Sequence, residues 1–370
     1  MPEIILKNIT KRFGKAVAVD NLSMTIHDGE FVSLLGPSGC GKTTTLRMIA
    51  GLETPTEGEI TIDGKVVFSS DDGVDISPDK RNVGFLFQNY ALWPHMTVYK
   101  NISFGLENMK WEKSKIDNRV RELTKMLKIE EYLERYPSEL SGGQQQRVAI
   151  ARTLSTGPKI LFMDEPLSNL DAKLRMEMRT ELKRLHVETG STFVYVTHDQ
   201  LEAMTLSTRI CLLKEGILQQ YEPPLTVYRS PKNYFVADFV GSPNINIVKM
   251  KGAQVNLDEI KLVNDDFSLL FSPKSNNISV SDGAALLLGI RPEDVSITED
   301  GNIDAEVYSA LPSGMETIVK VKIGSLILTS VVFGDVDFKM GEKVKITFNS
   351  KNYILFDAKS QNQLGNGTLN

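Results

Sequence analysis

The chain has 370 residues, 42 Lys or Arg against 47 Asp or Glu, and a formal net charge of −5, which is length enough for two domains with separate cores. From Asp238 onward 12 basic residues face 17 acidic ones, leaving 30 of each before it, so neither part shows the basic excess expected of a nucleic-acid binder. Two cysteines far apart, Cys40 and Cys211, make neither a disulfide framework nor a zinc site. No apolar run reaches the length of a membrane span and residues 1–7 lack the pattern of a signal peptide. A reducing cytosol is therefore expected, with any membrane supplied by other subunits.

In chain order, the spacing predicts strands over residues 4–9 and 22–26 around a turn at Gly14, and another over 59–62 ending in Asp63-Gly64. Runs over 82–87, 159–163, 192–196 and 209–213 are, past their polar first residues, apolar rather than alternating, the pattern of parallel strands covered on both faces. Helical patterns separate several of them, as in an α/β core. Within 88–140 the period turns helical, with Ile116, Val120, Leu123 and Leu127 on one face. Further helices are expected over 144–154 and from Ala172, where Leu174, Met178, Leu182 and Leu185 form one stripe. From about residue 239 short alternating strands with glycine turns predict a small β-barrel or sandwich, OB-like in type. Residues 361–370 are expected to be disordered. The fold class expected is α/β: a phosphate-loop core with an N-terminal antiparallel β subdomain and a helical insertion at about 89–155. The core spans 1–237, and a β-rich OB-like domain follows over 238–370.

The stretch Gly36-Pro37-Ser38-Gly39-Cys40-Gly41-Lys42-Thr43-Thr44 fits G-x-x-x-x-G-K-[ST], between the apolar run 31–35 and a helical pattern. Glycines let consecutive N–H groups turn inward around phosphate oxygens, and the positive end of the following helix points to the same place. Lys42 would reach the β- and γ-phosphates, and Thr43 would ligate Mg²⁺. Cys40 reads as a filler position in the loop; its seat at a helix start beside Lys42 could still lower its pKa, in which case an alkylator inactivates the protein and a bound nucleotide protects it. The run 160–163 ends in Asp164 and Glu165. Asp164 would hold Mg²⁺ through its water shell, and Glu165 could orient a water as general base. Ser141-Gly142-Gly143-Gln144 opens a helix with bare N–H groups and a hydroxyl, a second anion site or an ordinary capped turn.

Together these motifs resemble an ATP-binding cassette, the ATPase subunit of an ABC transporter. Leu140-Ser141-Gly142-Gly143-Gln144 matches the family signature, in the family's order between the phosphate loop and the strand ending in Asp164-Glu165. Gln88 matches the Q-loop glutamine, Ser168-Asn169-Leu170-Asp171 the D-loop, His198 the switch histidine and Phe13 the aromatic that stacks on adenine. The resemblance implies ATP and Mg²⁺ as cofactors, with metal contacts from Thr43, Gln88 and Asp164 and catalysis by Glu165, His198, Gln88 and Lys42. It implies a homodimer, or a pair with a related cassette, closed head to tail. Ser141, Gly142, Gly143, Gln144 and Asp171 would then face the nucleotide of the other chain. A monomer is accordingly expected to bind ATP and hardly hydrolyse it.

Residues 89–98, 165–175, 241–244 and 289–295 resemble carbohydrate-importer ATPases of the maltose, multiple-sugar and glycerol-phosphate type, the last stretch matching their transport-associated OB domain. That implies work at the cytoplasmic face of the membrane with permease subunits docking near 89–98. An extracytoplasmic solute-binding protein would act indirectly, and a cytosolic regulator could bind the C-terminal domain. Residues 68–80, Trp93 and 311–314 depart from the pattern of these importers. An importer of inorganic anions, iron or polyamines is the alternative reading. A non-transport cassette of nucleic-acid or ribosome processes is more remote, since the chain has one cassette and no long coiled coil.

Overall fold

The computed structural model describes residues 3–274, 278–334, 336–349 and 352–369. Its first element is a hairpin, β1 (Ile4–Phe13) against β2 (Ala16–Ile26), turning at Gly14 with φ 58°. Both strands outrun the stretches expected: β1 runs on through residues 10–13 and β2 begins at Ala16, in a segment mostly exposed apart from the buried Val19. With β4 (Glu57–Ile62), β5 (Lys65–Ser69) and β6 (Val74–Asp75) they form an antiparallel sheet of order β2-β1-β4-β5-β6. The acidic departure over 68–80 thus contributes the β5–β6 hairpin at the sheet edge.

A second sheet of order β11-β10-β3-β9-β8-β7 comprises β3 (Phe31–Leu35), β7 (Gly84–Leu86), β8 (Ile160–Asp164), β9 (Thr192–Val196), β10 (Arg209–Lys214) and β11 (Ile217–Glu222). All its neighbours are parallel except β10 and β11. Period two divides each central strand between two cores. Ile160, Phe162, Val194 and Val196 pack with Leu46, Met48 and Ile49 of α1 (Lys42–Ala50) and with the antiparallel sheet. Leu161, Met163, Phe193 and Tyr195 pack instead with α2 (Val98–Asn108), α3 (Lys113–Met126), α4 (Gly142–Ser155) and α5 (Ala172–Thr189). Each large side chain so buried contributes about 1.5–3 kcal/mol, which is why these strands read as unbroken apolar runs. The adjacent strands β3, β9 and β8 end beside one another, where ligands of open parallel sheets bind.

Contacts divide the chain into one compact unit ending at Pro224 and another beginning at Leu225. The expected boundary followed composition and lay at 237/238. Residues 225–237, in α7 (Pro224–Arg229) and α8 (Tyr234–Phe239), group with the C-terminal unit. Arg291 supplies a physical reason, donating to the carbonyls of Tyr228 (2.7 Å), Ala237 (3.0 Å) and Val240 (2.6 Å).

The C-terminal unit holds a closed six-stranded barrel and a five-stranded sheet. The sheet comprises β16 (Val295–Ile297), β17 (Ile303–Pro312), β18 (Glu316–Ile323), β19 (Leu326–Phe333) and β20 (Lys343–Phe348), in the order β16-β20-β17-β18-β19. The barrel comprises β12 (Asn246–Asn256), β13 (Glu259–Val263), β14 (Ser268–Pro273), β15 (Ala284–Ile290), β21 (Tyr353–Asp357) and β22 (Gln363–Leu369), in the order β12-β13-β14-β22-β21-β15. The expectation of a disordered tail over 361–370 is corrected for residues 361–369, residue 370 lying outside the described residues: β22 pairs with both β14 and β21 and closes the barrel. Its glycines and asparagines read as disorder, yet Gly367 is where a Cβ would sit 2.5 Å from the Phe271 ring. The missing side chain is what lets the strand close over the core.

Candidate active site

The loop leaving β3 can take its path only because it lacks side chains. A Cβ on Gly36 (φ 148°) would lie 2.2 Å from the Leu213 carbonyl, and one on Gly41 (φ 97°) 2.4 Å from that of Ala18. Gly41 is the N-cap of α1, so the first N–H groups of that helix open into the loop. Lys42 is buried, and its ammonium donates to the carbonyls of Gly36 (2.7 Å) and Pro37 (2.8 Å). Those carbonyls hold the cation inside the ring of amides, where a phosphate would offer it stronger acceptors.

Thr43 donates its hydroxyl to Asp164 Oδ1 at 2.8 Å, and Arg47 lies 3.6 Å from Oδ2. Burial raises the Asp164 carboxyl above its ordinary value, with the Glu165 charge adding to it; Thr43 and Arg47 act in the opposite direction. Among the described residues no group of three His, Cys, Asp or Glu forms a protein-only metal cage. One carboxylate and one hydroxyl in contact are the donor set expected of an octahedral Mg²⁺ that keeps waters and takes phosphate oxygens, so these residues fit that ion.

Glu165 follows with φ 45°, its N–H donating to the Val196 carbonyl at 3.1 Å. This strained turn brings its carboxylate to 3.5 Å from His198 Nδ1. Gln88 lies elsewhere, donating to Ser168 Oγ at 3.4 Å while Asn169 donates to its carbonyl at 3.5 Å. Phe13 is 50% exposed, with the Lys11 ammonium 4.8 Å over its ring, so one aromatic face is free to stack. Pro37, Ser38, Gly39 and Thr44 complete the loop and first turn as the motif requires.

Ser141 caps α4 in a capping box: its Oγ accepts from the Gln144 N–H (3.4 Å) and Gln144 Oε1 from the Ser141 N–H (2.8 Å). Gly143 packs on α5, where a Cβ would meet Leu174 Cδ2 at 2.4 Å. Asp171 caps α5, accepting from the Leu174 N–H at 3.0 Å. Among the described residues no hydrogen bond or ion pair joins Ser141, Gly142, Gly143 or Gln144 to the loop 36–44.

Cys40 departs from the reactive reading. It is 3% exposed, and burial pushes its thiol up despite Lys42 at 3.8 Å. Desolvation outweighs the helix end and the cation, so neither a lowered pKa nor ready alkylation follows. Residues 89–98 are partly buried and partly exposed. Tyr90 is buried, and Trp93 packs on Phe104 with the Arg152 guanidinium 4.8 Å over its ring. Arg152 and Asn101 hold the backbone through the carbonyls of Tyr90, Ala91, Trp93, Met96 and Thr97, leaving Pro94 and His95 outward.

Three further residues brace the site without belonging to any of the motifs. Arg47 stands four residues after Thr43 on the same helix face, a spacing that could have flagged it. Arg81 is fully buried and donates to the carbonyls of Met48 and Ile49, both at 2.9 Å, so it caps the far end of α1. Nothing local in the sequence announces it. Glu202 is held to the turn before His198, accepting from Tyr195 Oη (2.8 Å) and Thr197 Oγ1 (2.6 Å). Tyr195, in an apolar strand, was the hint, since a buried phenol needs a partner.

A parallel sheet ending in a phosphate loop, an Asp–Thr pair and a Glu–His pair defines a phosphate-loop ATPase. Residues 19–168 match the family model described as ABC transporter, and residues 288–356 that of the TOBE domain. The chain is 43% identical to the trehalose/maltose import ATP-binding protein MalK of Thermococcus litoralis, over 96% of this chain and 98% of the relative. It is 43% identical to the xylose/arabinose import ATP-binding protein XacJ of Haloferax volcanii, over 97% and 95%. A solved ATP-binding cassette, a dimer in a post-hydrolysis state bound to ADP and Pi, matches 60% of this chain and 98% of its own with TM-score 0.52 and 38% identity. The chain belongs to the ATP-binding proteins of ABC transporters and carries a C-terminal TOBE domain. It is an importer ATPase subunit that binds ATP and couples its hydrolysis to transport. Among the described residues no helix is long and apolar enough to cross a membrane.

Proposed function

We propose that this chain powers a carbohydrate importer, closing head to tail with a second copy around two Mg-ATP at the cytoplasmic face of the membrane. The observation that carries the substrate class is the near full-length similarity, C-terminal unit included, to relatives named for trehalose/maltose and xylose/arabinose import. In this reading Phe13 stacks on adenine, and the amides of 36–44 with Lys42 hold the phosphates. Thr43 and Asp164, with Gln88 on closure, hold Mg²⁺, which supplies charge neutralisation at the transferred phosphoryl group. Glu165 orients and deprotonates the attacking water, and His198 steadies that carboxylate; their 3.5 Å approach supports the pairing. Ser141, Gly142, Gly143, Gln144 and Asp171 serve the other chain's nucleotide. Permease subunits dock on the outward part of 89–98 around Pro94 and His95, whose braced backbone can transmit closure.

Reconstitution with candidate permeases and a binding protein tests the reading. A sugar-loaded binding protein is expected to stimulate both ATP hydrolysis and uptake. Stimulation by an anion-, iron- or polyamine-loaded binding protein instead would replace the substrate class. Stimulation by DNA or ribosomes alone would overturn transport altogether.

A further inference from the structure

The residues flanking His198 in sequence belong to a charged cluster. Asp199 caps α6 (Gln200–Leu206), accepting from the N–H groups of Leu201 (2.8 Å) and Glu202 (3.1 Å). Its own N–H donates to Thr197 Oγ1 at 2.9 Å, and Thr197 donates in turn to Glu202. His198 sits in the middle of this knot, so its position follows that of Thr197, Asp199 and Glu202. Arg175, from the first turn of α5, faces the knot. Its guanidinium donates to the Leu170 carbonyl at 3.0 Å and lies 3.9 Å from Asp199 Oδ2 and 4.0 Å from Glu202 Oε1.

Two features make this more than a stray ion pair. Glu202 is 4% exposed, and the pairing oxygen belongs to a carboxylate already held by two hydroxyls. Arg175 Nε is buried and has no hydrogen-bond partner among the described residues. A shift of about 1 Å would bring Nε within bonding reach of Glu202 Oε1. A buried donor left that close to a buried anion is a contact made in one arrangement and open in another.

We infer that Arg175 is a positioning residue, tying the carbonyl of Leu170 to the turn that presents His198. Leu170 belongs to 168–171, whose Ser168 and Asn169 contact Gln88 and whose Asp171 starts α5. Any displacement of that segment, as when a second cassette meets Asp171, is carried by the guanidinium to Asp199 and Glu202 and so to the histidine beside Glu165. The inference rests on the proposed role of His198, and it adds a residue that touches neither nucleotide nor metal.

The test uses the full chain and reads kcat, KM and ATP-analogue affinity for Arg175→Met, Arg175→Lys, His198→Ala and the Arg175→Met/His198→Ala double variant. Arg175→Met is expected to lower kcat at least about tenfold with nucleotide affinity within about twofold, the split expected of a lost positioning contact. In the His198→Ala background the same change is expected to cost less than about twofold, because residues acting as one unit are not additive. Arg175→Lys keeps the charge but cannot hold both partners at once, so a severalfold loss is expected there even if the methionine variant fails to fold. Multiplicative losses in the double variant, or a fall in affinity with unchanged kcat, would overturn the inference. A slow His198→Ala beside ordinary Arg175 variants overturns it alone. Ordinary turnover in His198→Ala overturns both it and the role of His198.

Discussion

Arg81 offers a test of how α1 is held in register with the phosphate loop at its other end. Its side chain has no solvent exposure, and it donates to the carbonyls of Ile76 (2.7 Å), Met48 and Ile49 (2.9 Å each) and Val67 (3.4 Å). Asp75 stands 3.3 Å away, half-exposed and able to return to water. In Arg81→Leu the Met48 carbonyl keeps the Gly51 N–H at 3.2 Å, so two well-made acceptors, Ile49 and Ile76, are stranded. At about 1–3 kcal/mol for each buried acceptor left without a donor, the cost is about 2–6 kcal/mol. Relief of the burial that lowers the guanidinium's pKa works the other way. A net loss of about 3 kcal/mol corresponds to a fall of about 6–12 °C in the melting temperature of a unit this size. Thermal unfolding of the apo full chain, followed by circular dichroism, measures it. Arg81→Lys should recover little, since one ammonium cannot span Ile76 and the end of α1 together. A fall below about 2 °C, or full recovery by lysine, would refute the assignment of Arg81 as the helix's distal clamp.

Glu165→Gln is expected to keep ATP binding, slow hydrolysis by about two to four orders of magnitude and accumulate a closed dimer on size exclusion with ATP; normal turnover would remove the base assignment. Asp164→Asn should raise the apo melting temperature at pH 7 while weakening Mg-dependent nucleotide binding. Because burial raises the Asp164 pKa above its ordinary 3.8, the folded state binds more protons there than the unfolded state. Wild-type stability therefore falls as pH climbs from that value through the raised one, and the variant's advantage grows over the same window and then levels off. An advantage that shrinks with rising pH would contradict the sign. Gly143→Ala drives a methyl to 2.4 Å from Leu174 Cδ2, and repacking of this kind costs about 1–3 kcal/mol. Its hydrolysis should drop without loss of ATP binding by the isolated chain, and equal loss of both would count against a role on the other chain's nucleotide.

What could be read in advance follows the range of the interactions. The parallel strands were legible because residues such as Phe162 and Val194 bury on one face while Leu161 and Phe193 bury on the other, leaving no polar gap. The phosphate loop was legible because backbone conformation and ligand chemistry constrain neighbouring positions together. Arg81 and Arg175 were not, since their partners are main-chain carbonyls, which any residue supplies, or carboxylates distant in sequence. The reactive reading of Cys40 misled for a related reason. The local field of Lys42 and the helix is visible in sequence, while the packing that buries the thiol comes from elsewhere in the fold. In β22 the signal inverted: Gly365 and Gly367, counted as disorder, are the residues that Ile278 and Phe271 require in order to fit.

The capping box on α4 bears on why one complete phosphate loop makes half a catalytic site in the proposed dimer. Ser141 and Gln144 satisfy each other's backbone N–H groups, which leaves Gly142 and Gly143 in the first turn, where no intrahelical acceptor exists. In the single chain the exposed Gly142 donor goes to water at no great cost. Against a phosphate, an amide at this positive helix end would exchange water for a charged acceptor. The gain appears only when another chain brings its nucleotide to it. The lysine that would grip that nucleotide is already satisfied by Gly36 and Pro37 before ATP arrives. In that dimer binding would need one chain, while closure would draw its energy from amides that one chain cannot use. Loss of the bridging phosphate removes that gain, which is how hydrolysis would reopen the pair.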